Sequence, residues 1–246
     1  MSLQGHTAVI TGAGQGIGRA CAEVFAEQGA ELLLLDKNAV TLAEVVKVIE
    51  QKGCKVTGLV VELTELENLQ RKLEPVCRGL AVDILVNNAG FDRPGTSAKT
   101  DQAGFDAVVA IHLSVPLFLM KFFLPAMRAG KWGRIINVSS IYGLIGAKGE
   151  VAYSTAKSGL IGLTKSIAKE AAGDGVTVNA VLPGLTRTPT IENFMAQKFK
   201  DAIIAETPLG RMAEAEEIAK VIAFLASEDA SYITAAAIPV SGGWGI

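Results

Sequence analysis

Thr11-Gly12-Ala13-Gly14-Gln15-Gly16-Ile17-Gly18 joins an apolar run, residues 7–11, to residues 19–28, whose apolar side chains recur at helical spacing. Alternate glycines let the chain turn tightly and bring bare backbone close to a ligand. A helix that begins at such a turn presents its unpaired N–H groups to a phosphate. Strand, glycine turn and helix in this order make the first unit of a dinucleotide-binding sheet. The spacing is not the common GxGxxG, because counting from Gly12 its third glycine would fall on Ile17; the pattern present is TGxxxGxG.

Outward from this turn, strand and helix signals alternate to the end of the chain. Apolar runs stand at residues 7–11, 31–36, 55–61, 82–86, 134–139, 177–182 and 237–240. Helical patterns fill residues 19–28, 40–51, 65–77, 105–127, 153–172 and 214–226. Near-continuous apolar strands are buried on both faces, which requires helices on each side of a parallel sheet. The pattern predicts an α/β, single-domain, Rossmann-like doubly wound fold: a seven-stranded parallel sheet flanked by helices, spanning residues 1–246. Residues 183–210 break the rhythm with three prolines and no strand signal, so a substrate lid is expected around 185–210.

Composition narrows the function. The 246 residues carry 23 Lys+Arg against 25 Asp+Glu, a net charge of −2, and half of them are hydrophobic. That content excludes a disordered or fibrous chain. A near-zero charge without a basic block gives no reason to expect nucleic acid or a membrane as partner. Cys21, Cys54 and Cys77 are far apart and odd in number, so they read as free thiols in a reducing compartment; no metal site is expected. The first residues show no basic segment followed by an apolar one, and a cytoplasmic location is expected.

Four ordered motifs carry a resemblance. TGxxxGxG at 11–18, Asn87-Asn88-Ala89-Gly90 after the fourth strand, Ser140 followed by Tyr153-Ser154-Thr155-Ala156-Lys157, and Pro183-Gly184 after the sixth strand resemble the short-chain dehydrogenase/reductase family over essentially the whole chain. The resemblance implies an oxidoreductase that moves hydride between a nicotinamide dinucleotide and a small alcohol or ketone. It assigns the cofactor to Gly12, Gln15, Gly16, Ile17 and Gly18, to Glu62 and Leu63, to Asn88 and Gly90, and to Pro183, Gly184, Thr186 and Thr188. Tyr153 and Lys157 then serve both catalysis and cofactor binding.

The residues themselves support this chemistry. Asp36 ends the second strand, where a carboxylate can accept from both adenosine ribose hydroxyls and would repel a 2′-phosphate. The expected cofactor is therefore NAD, with neighbouring Lys37 as the one discordant charge. Tyr153 and Lys157 share a helix face at i,i+4. A Lys⁺ about 4 Å from a phenol is worth ~4 kcal/mol at an effective dielectric near 20, enough to assist its ionisation. Tyr153 is expected to act as general acid/base, Ser140 to hold the substrate oxygen, and Lys157 to assist. His112 stands where the family has an Asn in its proton relay. Two readings stay open for it: titration near pH 6.5 reaching the relay, or simple packing.

On the substrate side, Ile141, Tyr142, Leu144, Ile191, Phe194 and Met195 are the expected lining. The C-terminal half is similar to 3-oxoacyl-carrier-protein reductases and 3-hydroxybutyrate dehydrogenases. The former mostly use NADPH, against Asp36; the latter carry a Lys where this chain has Glu150. Two alternatives to the NAD-dependent alcohol–ketone reading are a 3-oxoacyl-thioester reductase and a catalytically impaired dinucleotide-binding protein. Apolar residues on several faces of the helices at 105–127 and 153–172 (Leu117, Phe118, Phe122; Leu160, Ile161, Leu163) lead to an expected homotetramer.

Overall fold

Thr7–Thr11 and Glu31–Asp36 pair in parallel, Thr7 beside Glu31 and Thr11 beside Leu35, and alternate side chains enter two different cores. The computed structural model describes residues 2–246. In chain order the elements are β1 (Thr7–Thr11), α1 (Gly16–Glu27), β2 (Glu31–Asp36), α2 (Ala39–Gln51), β3 (Val56–Val60), α3 (Leu66–Val76) and β4 (Ile84–Asn87). There follow α4 (Gln102–Val109), α5 (Val115–Gly130), β5 (Gly133–Val138), α6 (Tyr142–Ile145), α7 (Val151–Ala171) and β6 (Val176–Pro183). The remainder comprises β7 (Thr186–Arg187), α8 (Pro189–Phe194), α9 (Gln197–Glu206), β8 (Ala213–Glu214), α10 (Ala215–Ala226) and β9 (Ala237–Val240).

The parallel sheet has seven strands in the order β3-β2-β1-β4-β5-β6-β9. Ala8, Ile10, Leu32, Leu34, Val86 and Ile136 pack with α1, α2 and α10 on one face. Val9, Leu33, Leu35, Leu85, Ile135 and Val178 pack with α3, α5 and α7 on the other. This is the expected doubly wound fold. The strand order reverses between β1 and β4, so the crevice for a ligand opens at their C-terminal ends.

Three expectations need correction. The helix read at 105–127 is instead α4 and α5 joined by a widened, π-helical turn at Ala110–Ser114, in which the Val115 N–H reaches the Ala110 carbonyl five residues back. Pro116 explains the break, because it has no N–H to give to the carbonyl of His112. Residues 183–210 are not strandless: β7 pairs with β8, and α8 and α9 fill the rest. Finally, Leu160 and Ile161 of α7 are buried within the chain itself, at 1% and 9% exposure, so they give no reason for a further partner. Leu117 is exposed, and Phe118 and Phe122 are half-buried.

The helical stretch Gln102–Gly130 is long and apolar enough to cross a membrane by length and composition, which the reading of the sequence did not anticipate. Half of its most apolar window is buried, with Leu119, Met120, Phe123, Leu124 and Met127 packed into the core beneath the sheet. The three cysteines are free thiols.

Candidate active site

At the end of β1 the glycine turn is held by contacts that side chains would destroy. Gly12 has φ +64, and a Cβ on Gly18 would lie 2.1 Å from the Gly12 carbonyl oxygen. Asn88 supports the turn from β4: its Nδ2 donates to the carbonyls of Thr11 (2.9 Å) and Gly12 (3.3 Å). The Thr11 hydroxyl accepts from the N–H groups of Asn88 and Ala89, at 3.0 Å each. Gln15 precedes α1 without capping it, so the first-turn N–H groups at Ile17 and Gly18 have no side-chain acceptor. An uncapped helix start beside close-packed glycines fits the pyrophosphate of a dinucleotide.

Asp36 closes the adenosine side. Its carboxylate accepts from the Gly14 N–H and from the Asn38 N–H, both at 2.9 Å, which fixes both oxygens at the mouth of the turn. Lys37 does not neutralise it; the ammonium lies 3.8 Å from Glu62 and over the Phe91 ring. Glu62 also accepts from Thr64, and Leu63 is buried beneath. At the other end of the crevice the Pro183 carbonyl accepts from the Ile141 N–H, and a Cβ on Gly184 would press on Ser241. The Thr186 hydroxyl donates to Gly184, while Thr188 caps α8 and lies against Gly16. Gln15 reaches Thr190 of α8, so the segment expected as a lid starts directly over the glycine turn.

Ser140, Tyr153 and Lys157 meet at the C-terminal end of β5. The Tyr153 and Ser140 hydroxyls are hydrogen-bonded to one another. Lys157 lies under the Tyr153 ring, 5.4 Å from its centroid, and donates to the Val138 carbonyl at 2.6 Å. Burial pushes the Tyr153 phenol upward, the Ser140 bond opposes this, and the charges of Asp92 and Glu150 add to it. Burial also draws Lys157 down to about 7, against the pull of Asp92. Tyr153 is thus held protonated at neutral pH.

His112 is 2% exposed, at the centre of the π-helical turn. Its Nε2 lies 2.9 Å from the Phe91 carbonyl, which can only accept, so this nitrogen carries the proton. The ring stands edge-on to Tyr153, with centroids 5.4 Å apart and an interplanar angle of 87°. Burial first, and the nearby Lys157 second, hold its pKa well below the ordinary value. Of the two readings of the sequence, titration near pH 6.5 is therefore the one the structure disfavours.

The substrate side differs from expectation at several points. Leu144 is 55% and Phe194 84% exposed, so neither is an enclosed lining residue. Three side chains were missed or left without a role: Trp244, which meets the Tyr142 ring edge-on at 5.3 Å, and the carboxyls of Asp92 and Glu150, which are hydrogen-bonded together. The Trp244 signal was its place in an aromatic, glycine-rich tail.

A family model described as Enoyl-(Acyl carrier protein) reductase matches residues 12–245. The chain belongs to the short-chain dehydrogenase/reductase family. It is 37% identical over 244 residues to the 3-oxoacyl-acyl-carrier-protein reductase FabG of Thermotoga maritima, covering 99% of both chains. Identity to FabG of Pseudomonas aeruginosa is 38% over 245 residues, covering 99% of this chain and 98% of that one. Among solved family members, a putative NAD(P)-dependent gluconate 5-dehydrogenase from Beutenbergia cavernae, with bound NADP at low occupancy, superimposes with a TM-score of 0.93 at 35% identity, covering 99% of this chain and 98% of that one. Levodione reductase gives a TM-score of 0.93 at 31% identity, covering 98% and 97%.

Proposed function

We propose that this short-chain dehydrogenase/reductase is an NAD-linked enzyme that interconverts a secondary alcohol and a ketone, with Tyr153 as its proton-transfer residue. The observation that carries the reading is the Ser140–Tyr153 hydroxyl pair with Lys157 beneath it, at the end of the crevice that Asp36 closes. When bound, the dinucleotide gives or takes the hydride. Gly12, Gly16 and Gly18 admit its pyrophosphate, Ile17 and Gly18 offer N–H groups, and Asp36 accepts from the ribose. Gln15, Glu62, Leu63, Asn88, Gly90, Pro183, Gly184, Thr186 and Thr188 line the remainder. In reduction Tyr153 gives its proton to the substrate oxygen, and Ser140 donates a hydrogen bond that stabilises the charge developing there. Lys157 balances the phenolate left behind. In oxidation the same proton returns to Tyr153.

NAD is assigned over NADP from charge: Asp36 has no cation against it, and a 2′-phosphate would add a like charge there. NAD is expected to bind at least about tenfold more tightly, a difference of ~1.4 kcal/mol. Calorimetric titration with both dinucleotides checks this; equal dissociation constants would remove the assignment, and Asp36→Ala should narrow the gap. A second reading is favoured by the FabG relatives at 36–38% identity: reduction of a 3-oxoacyl thioester. Assaying NADH oxidation with simple ketones and with 3-oxoacyl thioesters separates the two.

The partly uncovered Leu117, Phe118 and Phe122 on α5 support a homo-oligomer, with a tetramer as the proposal, in the cytoplasm. Sedimentation at micromolar concentration should return roughly four chain masses; a monomer would count against it.

A further inference from the structure

The α8–α9 segment, which begins over the glycine turn, is held by charge rather than by apolar burial. No side chain of α8 is buried, and Lys200 is the one buried residue of α9. Phe194 and Phe199, which could have pinned the two helices, are 84% and 56% exposed. What joins α8 to α9 is Glu192. Its carboxylate accepts from the Lys200 ammonium at 3.1 Å and from the Arg187 guanidinium at 2.7 Å. Lys200 also reaches the Glu192 carbonyl at 3.5 Å. Arg187 lies on β7 and donates in turn to Glu214 at 3.0 Å, across the β7–β8 pair. Glu214 immediately precedes α10, whose Ile218, Ala219 and Ile222 are rooted in the core. The run Lys200–Glu192–Arg187–Glu214 therefore alternates in sign from α9 to the body of the molecule.

The two ends of this run differ in what happens when they break. Arg187 and Glu214 are about half exposed, so water can replace either partner. The Lys200 side chain is only 7% exposed, and Glu192 holds the one carboxylate within 4.0 Å of its ammonium among the described residues. An ammonium left unpaired there is strongly unfavourable, whereas an apolar chain of similar length is not. It would regain water only if α8 and α9 parted. The chain entering α8 carries Thr188, which lies against Gly16, and α8 itself carries Thr190, which accepts from Gln15. Parting would thus lift α8 from the glycine turn.

We propose that Glu192 is a positioning residue for the dinucleotide: by pairing with buried Lys200 it keeps α8 seated as a lid over the glycine turn, and release of the cofactor requires that pair to separate. This rests on the dinucleotide-binding reading above.

Chymotrypsin reads the seating of the lid, because cleavage after Phe194 or Phe199 requires their helices to open locally. Cleavage after fully exposed Tyr232 reports on the chain outside the lid. Glu192→Gln keeps side-chain size and polarity and removes the charge. It should raise cleavage at the two lid sites at least about tenfold and leave the Tyr232 rate unchanged. NADH, or NADPH where the parent prefers it, should bind about tenfold more weakly by fluorescence titration, through faster dissociation in stopped flow. Adding Lys200→Met removes the ammonium that needs a partner, and should bring cleavage and affinity back to within about threefold of the parent. Unchanged lid cleavage in Glu192→Gln, a parallel rise at Tyr232, or no recovery in the double variant would overturn the proposal. So would a loosened lid that holds the dinucleotide as tightly as the parent does. If the parent binds neither dinucleotide, the dinucleotide-binding reading fails instead, and cleavage alone decides the Glu192–Lys200 latch. A rise confined to the lid and reversed in the double variant then supports it; any other pattern overturns it.

Discussion

Replacing Tyr153 by Phe is expected to remove about a thousandfold of turnover while folding and dinucleotide binding persist, because only the proton-carrying hydroxyl is lost. The ring itself is retained, and with it the edge contact to His112 and the cover over Lys157. Steady-state rates with a responsive ketone, beside cofactor titration of both proteins, check this. A variant that keeps half the parent rate removes the phenol from the mechanism. The pH dependence adds a sign. Burial and the Asp92 and Glu150 charges raise the phenol, so reduction, which needs it protonated, should hold through neutral pH and fall as it ionises at high pH. Oxidation needs the phenolate and should climb over the same range.

Gly90→Ala should be nearly as damaging, for reasons of space. A Cβ at residue 90 would stand 2.0 Å from Cε1 of His112, and within 2.9 Å of both ring nitrogens. The ring cannot step aside, because it is buried, bonded to Phe91 and set against Tyr153. Overpacking of a rigid site costs roughly 1–3 kcal/mol, and here it also shifts the loop that carries Asp92. Denaturant melts of Gly90→Ala, His112→Asn and the double variant test this. The double variant should recover most of the stability lost in Gly90→Ala, a departure from additivity that only contacting residues show. Additive losses would dismiss the contact. Because the imidazole is held neutral, the pH–rate profile of His112→Asn should keep its shape between about pH 6 and 8.

The parts of this fold that could be read from the chain are those governed by short periods. Glu31–Asp36 reads as a strand because four consecutive leucines are buried on both faces, and the run from Gly12 reads as a tight turn because its glycines recur where a Cβ on Gly12, Gly14 or Gly18 would clash. The Tyr153–Lys157 relation follows from one helical turn. What escaped depends on distance or on charge pairing against expectation. Asp92 and Glu150 are far apart in sequence, and two acids give no local sign that they will meet. The exposure of Phe194 escaped because α8 is too short to bury a full face. Leu160 and Ile161 misled because an apolar residue looks the same whether its cover comes from its own chain or another.

The widened turn at Ala110–Ser114 makes the helix Gln102–Gly130 a device with two addresses. Ahead of it, Val108 packs with Ala152 and Ala156 of α7; beyond it, Leu119, Phe123 and Met127 pack beneath the sheet. One residue of helix is worth about 100° of rotation. The π-helical turn holds one residue more than an α-helical one, so it absorbs that rotation and keeps the two stretches facing as they would in an ordinary helix shorter by one residue. Loop lengths elsewhere can drift by insertion and deletion at small cost. Here the surplus residue sits inside a helix, and the turn that absorbs it carries His112 edge-on to Tyr153.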